Sequence, residues 1–449
     1  MGEAPPGSTT PVTNPRSLYG ATITVAGRIT SIQPRVALCE EDVLRHLPGL
    51  AAAEAGGAPV AVVHDARTKA AAGHAVLACL RAAGINAREV LVHDPAPGHS
   101  PACDESTMQP VASRCEGAGL LLAVGSGVIN DLAKWAAFTL GKPCACVATA
   151  ASMNGYTSAN VAATVRGVKT LVHAAAPRFV LADPAVLAAA PWRLTASGLG
   201  DIIAKSVSSA DWWLNYRLFG DEFIPECVDL IADIEPLYLD HPEELRAGDR
   251  GALVALFDGL LLTGVAMTMA GSSTPASGGE HLVSHALDMM ESLDGEAHDL
   301  HGRQVGVGTI LASALYERVL ALDGYSPVLP PDGIDDAFWG ALAPEVRAQH
   351  DQKRGRMAEF HRLAIESPGE PRAILKECAR FLRPAAAIKD CLARAGAAHR
   401  AEDLGMARER VLAALLHGRE MRARFTILDV AWILGVMPAA GEGLVAEWA

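Results

Sequence analysis

The 449-residue sequence has no apolar run of the ~20 residues that a membrane-spanning helix needs, because Gly, Pro, Asp or Lys interrupts each apolar stretch first. The N-terminus also lacks the basic-then-apolar pattern of a signal peptide. We therefore expect a soluble, cytoplasmic protein without membrane insertion.

The sequence also lacks a regular cysteine pattern and an excess of basic residues. The nine cysteines are an odd number, and they are scattered without the spacing of a disulfide framework or a zinc ribbon. Reduced, mostly buried thiols are therefore expected. The formal net charge of −13 argues against a protein that binds the nucleic-acid backbone. What remains is a small-molecule partner, for which a local basic pocket would be enough.

Length and hydrophobic content predict at least two domains, since half of the residues are hydrophobic. Residues 1–18 are rich in Pro, Ser, Thr and Gly and are expected to form a disordered tail. Residues 19–185 alternate short β-branched runs with alanine- and leucine-rich stretches, which predicts an α/β domain with a doubly wound parallel sheet. Residues 186–449 carry long helical patterns and are predicted to form a mostly α-helical domain.

The sequence pattern predicts individual strands and helices. The predicted strands cover residues 59–63, 90–92, 119–124 and 143–148, with a helix over 69–83. In the second half, helices are predicted over residues 249–268, 280–293, 371–381 and 407–416.

A glycine turn follows the third of these strands, and its candidate cofactor-binding residues are Gly125, Ser126, Gly127, Val128 and Ile129. A strand, a glycine turn and a helix start let backbone N–H groups approach a diphosphate at the positive end of the helix. The sequence matches neither the GxGxxG nor the Walker pattern, so a purely structural turn remains the alternative. A position at the carboxyl end of a central strand favours ligand binding.

Two further features of this domain are open to two interpretations. Thr149 and Ser152 belong to a loop of small hydroxyl and amide residues that also contains Asn154 and Ser158. Such groups hydrogen-bond a ribose, a nicotinamide amide or a substrate hydroxyl, but they also form ordinary turns. Asp65, at the end of a strand, suits either an adenosine ribose or a helix N-cap. The ribose role would favour NAD over NADP.

The second domain contains a cluster of histidines that predicts a metal centre. His281 and His285 are four residues apart and therefore share one helix face, and His301 begins a new segment that can close the site. His298 lies among acidic residues and is interpreted as solvated. Asp201, read alone, is an N-cap or first-turn carboxylate. Read with the histidines, it supplies an anionic ligand. Four ligands would close the site, so one of the four residues should face substrate.

Taken together, these motifs resemble the sn-glycerol-1-phosphate dehydrogenase family, in the superfamily that also holds iron-type alcohol dehydrogenases, glycerol dehydrogenase and dehydroquinate synthase. The resemblance covers about residues 30–440. It rests on five motifs in order: Gly125-Ser126-Gly127 with Asn130-Asp131 and Lys134; Thr149-Ala150-Ala151-Ser152; Gly198-Leu199-Gly200-Asp201; Glu280-His281 with Ser284-His285; and His301-Gly302 with Gln304 to Gly308.

The resemblance implies specific roles for these residues. It implies that Asp201, His281 and His301 hold a divalent metal, usually zinc and in some bacterial members nickel, with iron also compatible with such donors. His285 then turns toward substrate as a candidate proton donor. The resemblance also implies that the residues from Gly125 to Ile129 and from Thr149 to Ser152 receive NAD or NADP. It further implies that Ser158 contacts the cofactor and Asn154 the substrate. Many relatives have aspartate in place of Asn154.

The expected reaction is reversible hydride transfer between NAD(P)H and dihydroxyacetone phosphate, giving sn-glycerol 1-phosphate, with the metal polarising the carbonyl. The alternatives are a dehydrogenase for another small polyol, phosphosugar or phosphonate, and a carbocycle-forming lyase like dehydroquinate synthase. A homodimer is the expected assembly. Lys205, Arg303 and Lys169 are basic residues near the motifs, but the sequence assigns none of them to a phosphate.

Overall fold

A computed structural model describes residues 15–96, 99–166, 168–296 and 299–449. Most of the predicted tail, residues 1–14, lies outside these ranges, and so does His298. Pro15–Leu18 forms a 3-10 turn in which Leu18 is buried and Arg16 pairs with Asp258. The expectation of disorder is therefore wrong for residues 15–18, because one leucine reaches the core and one arginine finds a carboxylate.

The N-terminal domain is built on a six-stranded sheet with the order β3-β10-β7-β6-β4-β5, in which every pairing is parallel. Its central strands are continuous apolar runs that are buried along their whole length, as expected when helices cover both faces of a sheet. Antiparallel hairpins β1-β2 and β8-β9 lie outside this sheet. The strands are β1 (Thr22–Val25), β2 (Arg28–Ser31), β3 (Val36–Cys39), β4 (Val60–His64), β5 (Ala87–Leu91), β6 (Leu120–Gly125), β7 (Cys144–Ala148), β8 (Asn160–Val165), β9 (Val168–His173) and β10 (Phe179–Ala182).

Helices flank the sheet and then make up the rest of the described chain. Those of the first domain are α1 (Leu47–Ala55), α2 (Ala66–Thr68), α3 (His74–Ala82), α4 (Glu105–Arg114) and α5 (Gly127–Thr139). Those that follow are α6 (Pro184–Ala189), α7 (Trp192–Ile203), α8 (Lys205–Phe219), α9 (Pro225–Asp229), α10 (Pro236–Leu239), α11 (Pro242–Ala247), α12 (Arg250–Ala270), α13 (Gly279–Asp294), α14 (His301–Leu320), α15 (Asp336–Trp339), α16 (Ala343–Asp351), α17 (Arg354–Glu366), α18 (Gly369–Cys378), α19 (Ala385–Arg394), α20 (Arg408–His417), α21 (Ile427–Ile433) and α22 (Gly441–Trp448).

This architecture confirms the predicted fold class. The four strands and the long helices predicted from the pattern are present with bounds shifted by a few residues, and no strand of the described chain lies beyond Ala182. The helix predicted over 69–83 begins as a π-helical turn, Lys69–Gly73, before α3. The expected domain boundary at 185/186 falls inside α6, since Asp183 already caps that helix by accepting from the Ala185 N–H.

The strand order places a topological switch point between β4 and β6. From β4 the chain moves outward to β5 and then returns to the other side of β4 to form β6. In open α/β sheets, ligands bind outside the carboxyl ends of the strands at such a point. Asp65 follows β4 and Ser126 follows β6, so both lie at this edge of the sheet.

One helix of the described residues, α12, is long and apolar enough to span a membrane, with a hydropathy of 1.9 in its most apolar window. However, 83% of that window is buried inside the fold. In this structure α12 is therefore a core helix of the second domain.

Candidate metal centre and cofactor loops

Three side chains from separate helices converge at one buried point. Asp201 on α7, His281 on α13 and His301 at the start of α14 place one ligand atom each within 4.8 Å of one another. The Asp201 Oδ1 and His281 Nε2 atoms are 3.5 Å apart, and the His281 and His301 ring centroids are 5.2 Å apart. A carboxylate oxygen and two imidazole nitrogens are the donor set that a three-ligand metal site with an open position would use.

Asp201 is not at a helix start, so its interpretation as an N-cap or first-turn residue is wrong. Helix α7 begins at Trp192 after Pro191, and Asp201 lies near its other end. Its Oδ2 atom accepts the Asn154 N–H at 2.7 Å, while Oδ1 is buried without a hydrogen-bond donor in the described residues. A buried carboxylate oxygen without a donor is costly, so this atom fits a metal ion.

Glu280 orients the first imidazole. Its Oε1 atom lies 2.7 Å from His281 Nδ1, which places the ring proton on Nδ1 and leaves Nε2 toward Asp201. Burial lowers the pKa of His281, but the nearby carboxylates of Asp201 and Glu280 outweigh it and raise the pKa to about 9. In the metal-free protein this ring therefore holds a proton that a metal ion would displace.

Ser284 orients the second imidazole. Its hydroxyl donates to Gln304 Oε1 at 3.0 Å and lies 3.2 Å from His301 Nδ1, whose N–H it is placed to accept. Nε2 of His301 is then available to a metal. Burial and the neighbouring charge of His281 lower the pKa of His301 to about 4, so the ring is neutral, as a ligand must be.

His285 stands beside this group rather than in it. Its ring centroid is 5.3 Å from that of His301, and its ligand atoms group instead with those of Asp288 and His301. Asp288 was missed in the sequence, although its position three residues after His285 puts both on one helix face. Burial, reinforced by Arg422 and His301, holds the pKa of His285 well below its usual range despite Asp288.

Glycines let α7 approach its neighbours closely enough to deliver Asp201. A Cβ on Gly198 would lie 2.0 Å from the Ala151 carbonyl oxygen, and one on Gly200 would lie 2.0 Å from that of Gly302. Both distances are impossible for real atoms, so only glycine permits these backbone contacts. The motif Gly198-Leu199-Gly200-Asp201 thus brings the carboxylate between the loop after β7 and the start of α14.

The glycine turn after β6 has the predicted form. Gly125 ends the strand, Ser126 is the N-cap residue and α5 begins at Gly127, whose φ of +33° favours glycine. The Ser126 side chain does not cap the helix. Residues 126–128 are half-buried, whereas Gly125 and Ile129 are buried. The first N–H groups of α5 are therefore free of side-chain caps at the switch point, as an anion site requires.

The loop after β7 joins the two domains. Thr149 and Ser152 are almost buried, and the Thr149 N–H donates to the Gly125 carbonyl at 3.2 Å, so the two candidate cofactor loops touch. Asn154 binds Asp201 through its backbone, and its buried side-chain Nδ2 has no hydrogen-bond partner in the described residues. The Asn154 amide is thus a donor available to a substrate.

Lys134 holds the end of this loop. Its buried ammonium donates to the carbonyls of Gly155 and Asn160 at 2.8 and 2.7 Å. Ser158 is fully buried, and its hydroxyl donates to the Gly155 carbonyl at 3.1 Å. The structure therefore places Ser158 among the groups that hold the loop, and its cofactor contact stays a prediction. The motif contained Lys134, but sequence reasoning missed its role.

Asp65 caps α2, as one of its two interpretations predicted. Its Oδ1 atom accepts the Thr68 N–H at 2.7 Å, and its Oδ2 atom pairs with Arg67 at 2.7 Å. Arg67 also pairs with Asp94 at 2.7 Å. The ribose contact stays a prediction, and in this arrangement a guanidinium stands next to the carboxylate.

Comparisons with known proteins show which family the chain is similar to. The family described as iron-containing alcohol dehydrogenase matches residues 38–191. A glycerol-1-phosphate dehydrogenase (NAD(P)+) of Bacillus velezensis is 32% identical over 282 residues, which cover 62% of this chain and 71% of that protein. The protein of the same name from Geobacillus stearothermophilus is 30% identical over 375 residues, covering 82% and 85%.

Among solved structures, the chain is similar to a probable glycerol dehydrogenase from Sinorhizobium meliloti. The TM-score is 0.59 at 16% identity, and the match covers 93% of this chain and 99% of the other. At this identity the likeness bears on the fold alone.

The close contact at Gly200 predicts that Gly200→Ala disturbs both stability and metal binding. The added methyl must push the start of α14 away, which costs about 1–3 kcal/mol of the free energy of unfolding and moves His301 from Asp201. Denaturant unfolding and metal titration measure both effects. Gly355→Ala is the matched control, because that helical glycine has open space around it. Alanine there should increase the free energy of unfolding by about 1 kcal/mol at most. Equal behaviour of the two variants would contradict the packing argument.

The Glu280–His281 bond predicts that Glu280→Gln weakens metal binding. Glutamine keeps the size and an acceptor but removes the charge that raises the basicity of His281, so the metal dissociation constant should rise about 10–100-fold. Competition with a chromogenic chelator measures this constant. Glu345→Gln, at an exposed position on α16, should leave it unchanged. An unchanged affinity in Glu280→Gln would show that the carboxylate does not support the ligand.

Proposed function

Because the chain belongs to the glycerol-1-phosphate dehydrogenase family, we propose that it interconverts dihydroxyacetone phosphate and sn-glycerol 1-phosphate with NAD(P)H as hydride donor. It is an oxidoreductase of the iron-containing alcohol dehydrogenase superfamily. The convergence of Asp201, His281 and His301 around a carboxylate oxygen that has no donor is the observation that carries the proposal.

The three ligands would hold one divalent metal ion, with Glu280 and Ser284 fixing the ring orientations. Such an ion supplies Lewis acidity to a substrate carbonyl oxygen. Zinc is our proposed native ion, and nickel or iron(II) would suit the same nitrogen and oxygen donors.

The cofactor would lie along the edge of the sheet. Residues 125–129 offer the N-terminus of α5 to the pyrophosphate, and Thr149 and Ser152 lie beside them. Asn154 ties this loop to Asp201, so a nicotinamide ring bound along the loop would face the metal ligands. The reactive carbon of the cofactor and the substrate carbonyl then meet in one orientation, which is what hydride transfer requires.

The chain supplies groups for the substrate as well. The Nδ2 atom of Asn154 is a donor for a substrate hydroxyl or carbonyl oxygen. His285 is buried beside His301, and its low pKa keeps it neutral at pH 7. A neutral imidazole carries one N–H and one acceptor nitrogen, so it can pass a proton to the oxygen that gains charge during reduction while taking another from solvent.

The proposed location is the cytoplasm and the proposed assembly is a homodimer. Val328 and Leu329 are adjacent apolar residues that are 55% and 58% exposed, and they offer one surface on which a second copy could pack.

The direct test supplies dihydroxyacetone phosphate, NADH or NADPH, and zinc or nickel to the purified protein. Sustained oxidation of the cofactor is expected, and chelation should abolish it and added metal restore it. The product should be inert to an sn-glycerol-3-phosphate-specific dehydrogenase. A cofactor that is never consumed would point instead to a lyase that takes its hydride back in each turnover. Turnover of other ketones but not of this one would point to another substrate.

His285→Ala should lower kcat by about 100-fold or more while the metal content stays at that of the wild type, because the variant loses a proton donor and keeps all three ligands. Steady-state kinetics and metal analysis of the same sample measure the two quantities. Full turnover with metal bound would remove His285 from the mechanism, and loss of the metal would instead make it a ligand.

A further inference from the structure

Arg422 is a half-buried cation for which the described residues provide no hydrogen bond or ion pair to the guanidinium group. The other basic residues near the metal ligands are engaged. Lys205 is buried and donates to the Val228 carbonyl at 2.7 Å, and Arg303 pairs with Asp299 at 2.6 Å. Lys169 faces Asp288 at 3.9 Å.

The segment that carries Arg422 is fastened to α13, the helix of His281 and His285. Gly418 packs against the Leu282 carbonyl so closely that a Cβ would lie 3.2 Å from its oxygen. Past Arg422, Arg424 donates to the carbonyl of Ser277, just before α13. The segment therefore packs along the first turns of α13, and the charge of Arg422 contributes to the low pKa of His285 on that helix.

The carboxylate of Asp211 also links α13 to the chain that follows Arg422. Asp211 accepts the Gly279 N–H at 2.7 Å and the Ile427 N–H at 2.9 Å, so it joins the start of α13 to the start of α21. The buried pair Lys353–Asp429, at 2.8 Å, anchors the same segment from the other side. These contacts leave the segment little freedom to move away from the metal ligands.

The backbone at Arg422 is itself strained, with a φ of +59°, which non-glycine residues rarely adopt. The Arg422 N–H donates to the Gln349 side chain at 3.2 Å, which helps to hold this conformation. Gln349 also lines a cleft of about 330 Å³ between α16 and the hairpin β8-β9, together with Thr170, the neighbour of Lys169. The cleft is also lined by Glu105, Arg166 and Glu345, and it reaches the segment only through Gln349, the partner of the Arg422 N–H.

Burial and the nearby Arg424 lower the pKa of Arg422 to about 10, so the group remains charged at neutral pH. A partly buried cation without an acidic partner is destabilising, since the lost hydration is not replaced. A strained backbone that holds such a cation beside a reactive centre is typical of a ligand site. The missing partner is an anion.

We propose that Arg422 binds the terminal phosphate of the substrate and is the residue that selects a phosphorylated ketone over a neutral one. This inference rests on the proposed function. The guanidinium presents a planar pair of donors that matches two phosphate oxygens. The N-terminus of α5, in the other domain, is the proposed site for the phosphates of the cofactor, whereas Arg422 belongs to the segment that packs on the helix of His285. Lys169 is less suited, because Asp288 already offsets its charge.

The test compares Arg422→Met, which keeps the stem and removes the charge, with Arg422→Lys and with the control Arg362→Met on the exposed face of α17. With metal and NAD(P)H, kcat/KM for dihydroxyacetone phosphate should fall about 30- to 1,000-fold in Arg422→Met, mainly through KM. For dihydroxyacetone, which lacks the phosphate, it should change less than about threefold. Arg422→Lys should lie between, and Arg362→Met should match the wild type.

A second readout does not depend on turnover. Inorganic phosphate should raise the melting temperature of the metal-loaded wild type and of Arg362→Met, but not that of Arg422→Met. Equal losses on both ketones, or phosphate protection that persists in Arg422→Met, would overturn the proposal. If the wild type does not turn over dihydroxyacetone phosphate, the proposed function fails. Loss of phosphate protection in Arg422→Met would then still establish the anion site, for a different phosphorylated substrate.

Discussion

The arrangement depends on one carboxylate that is bound on only one of its two oxygens. The Oδ2 atom of Asp201 accepts the Asn154 N–H, and Oδ1 lies 3.5 Å from His281 Nε2 without a donor of its own among the described residues. A buried carboxylate needs a cation nearby: in the metal-free protein this is the protonated His281, and a bound metal ion would replace that proton. This requirement explains the surroundings of Asp201. The imidazoles of His281 and His301 lie beside it, and the glycines of α7 and the loop after β7 hold it in position.

The two histidine ligands are oriented by different kinds of hydrogen-bond partner, one charged and one neutral. Glu280 gives His281 an anionic acceptor, whereas Ser284 gives His301 only a hydroxyl. The carboxylates of Asp201 and Glu280 outweigh burial and raise the pKa of His281 to about 9, whereas burial and the charge of His281 lower that of His301 to about 4. Binding of a metal ion would release a proton from His281, whereas His301 is already neutral. Metal binding must therefore weaken as the pH falls.

The sequence predicted those parts of the fold and site whose signal is local. Continuous apolar runs identified β4, β6 and β7, and the four-residue spacing of His281 and His285 placed both on one face of α13. It could not place Asp201 within α7, because a Gly-Leu-Gly-Asp sequence looks like a helix start, whereas these glycines serve contacts with Ala151 and Gly302, which are distant in the chain. Lys134 and Arg422 were missed for the same reason. A lysine that holds a distant loop and an unpaired arginine have no pattern in the sequence around them.

The contact between Asn154 and Asp201 also makes the two domains depend on each other. The N–H that fixes the metal ligand belongs to the same loop whose Thr149 N–H bonds the Gly125 carbonyl in the cofactor turn. A metal ion that orders Asp201 therefore orders that loop, and a dinucleotide that orders the loop fixes the donor to Asp201. Coupling free energies between two binding sites are reciprocal. If a metal ion and a dinucleotide bind at these two places, we therefore expect each to increase the affinity for the other as long as this hydrogen bond is present in both complexes.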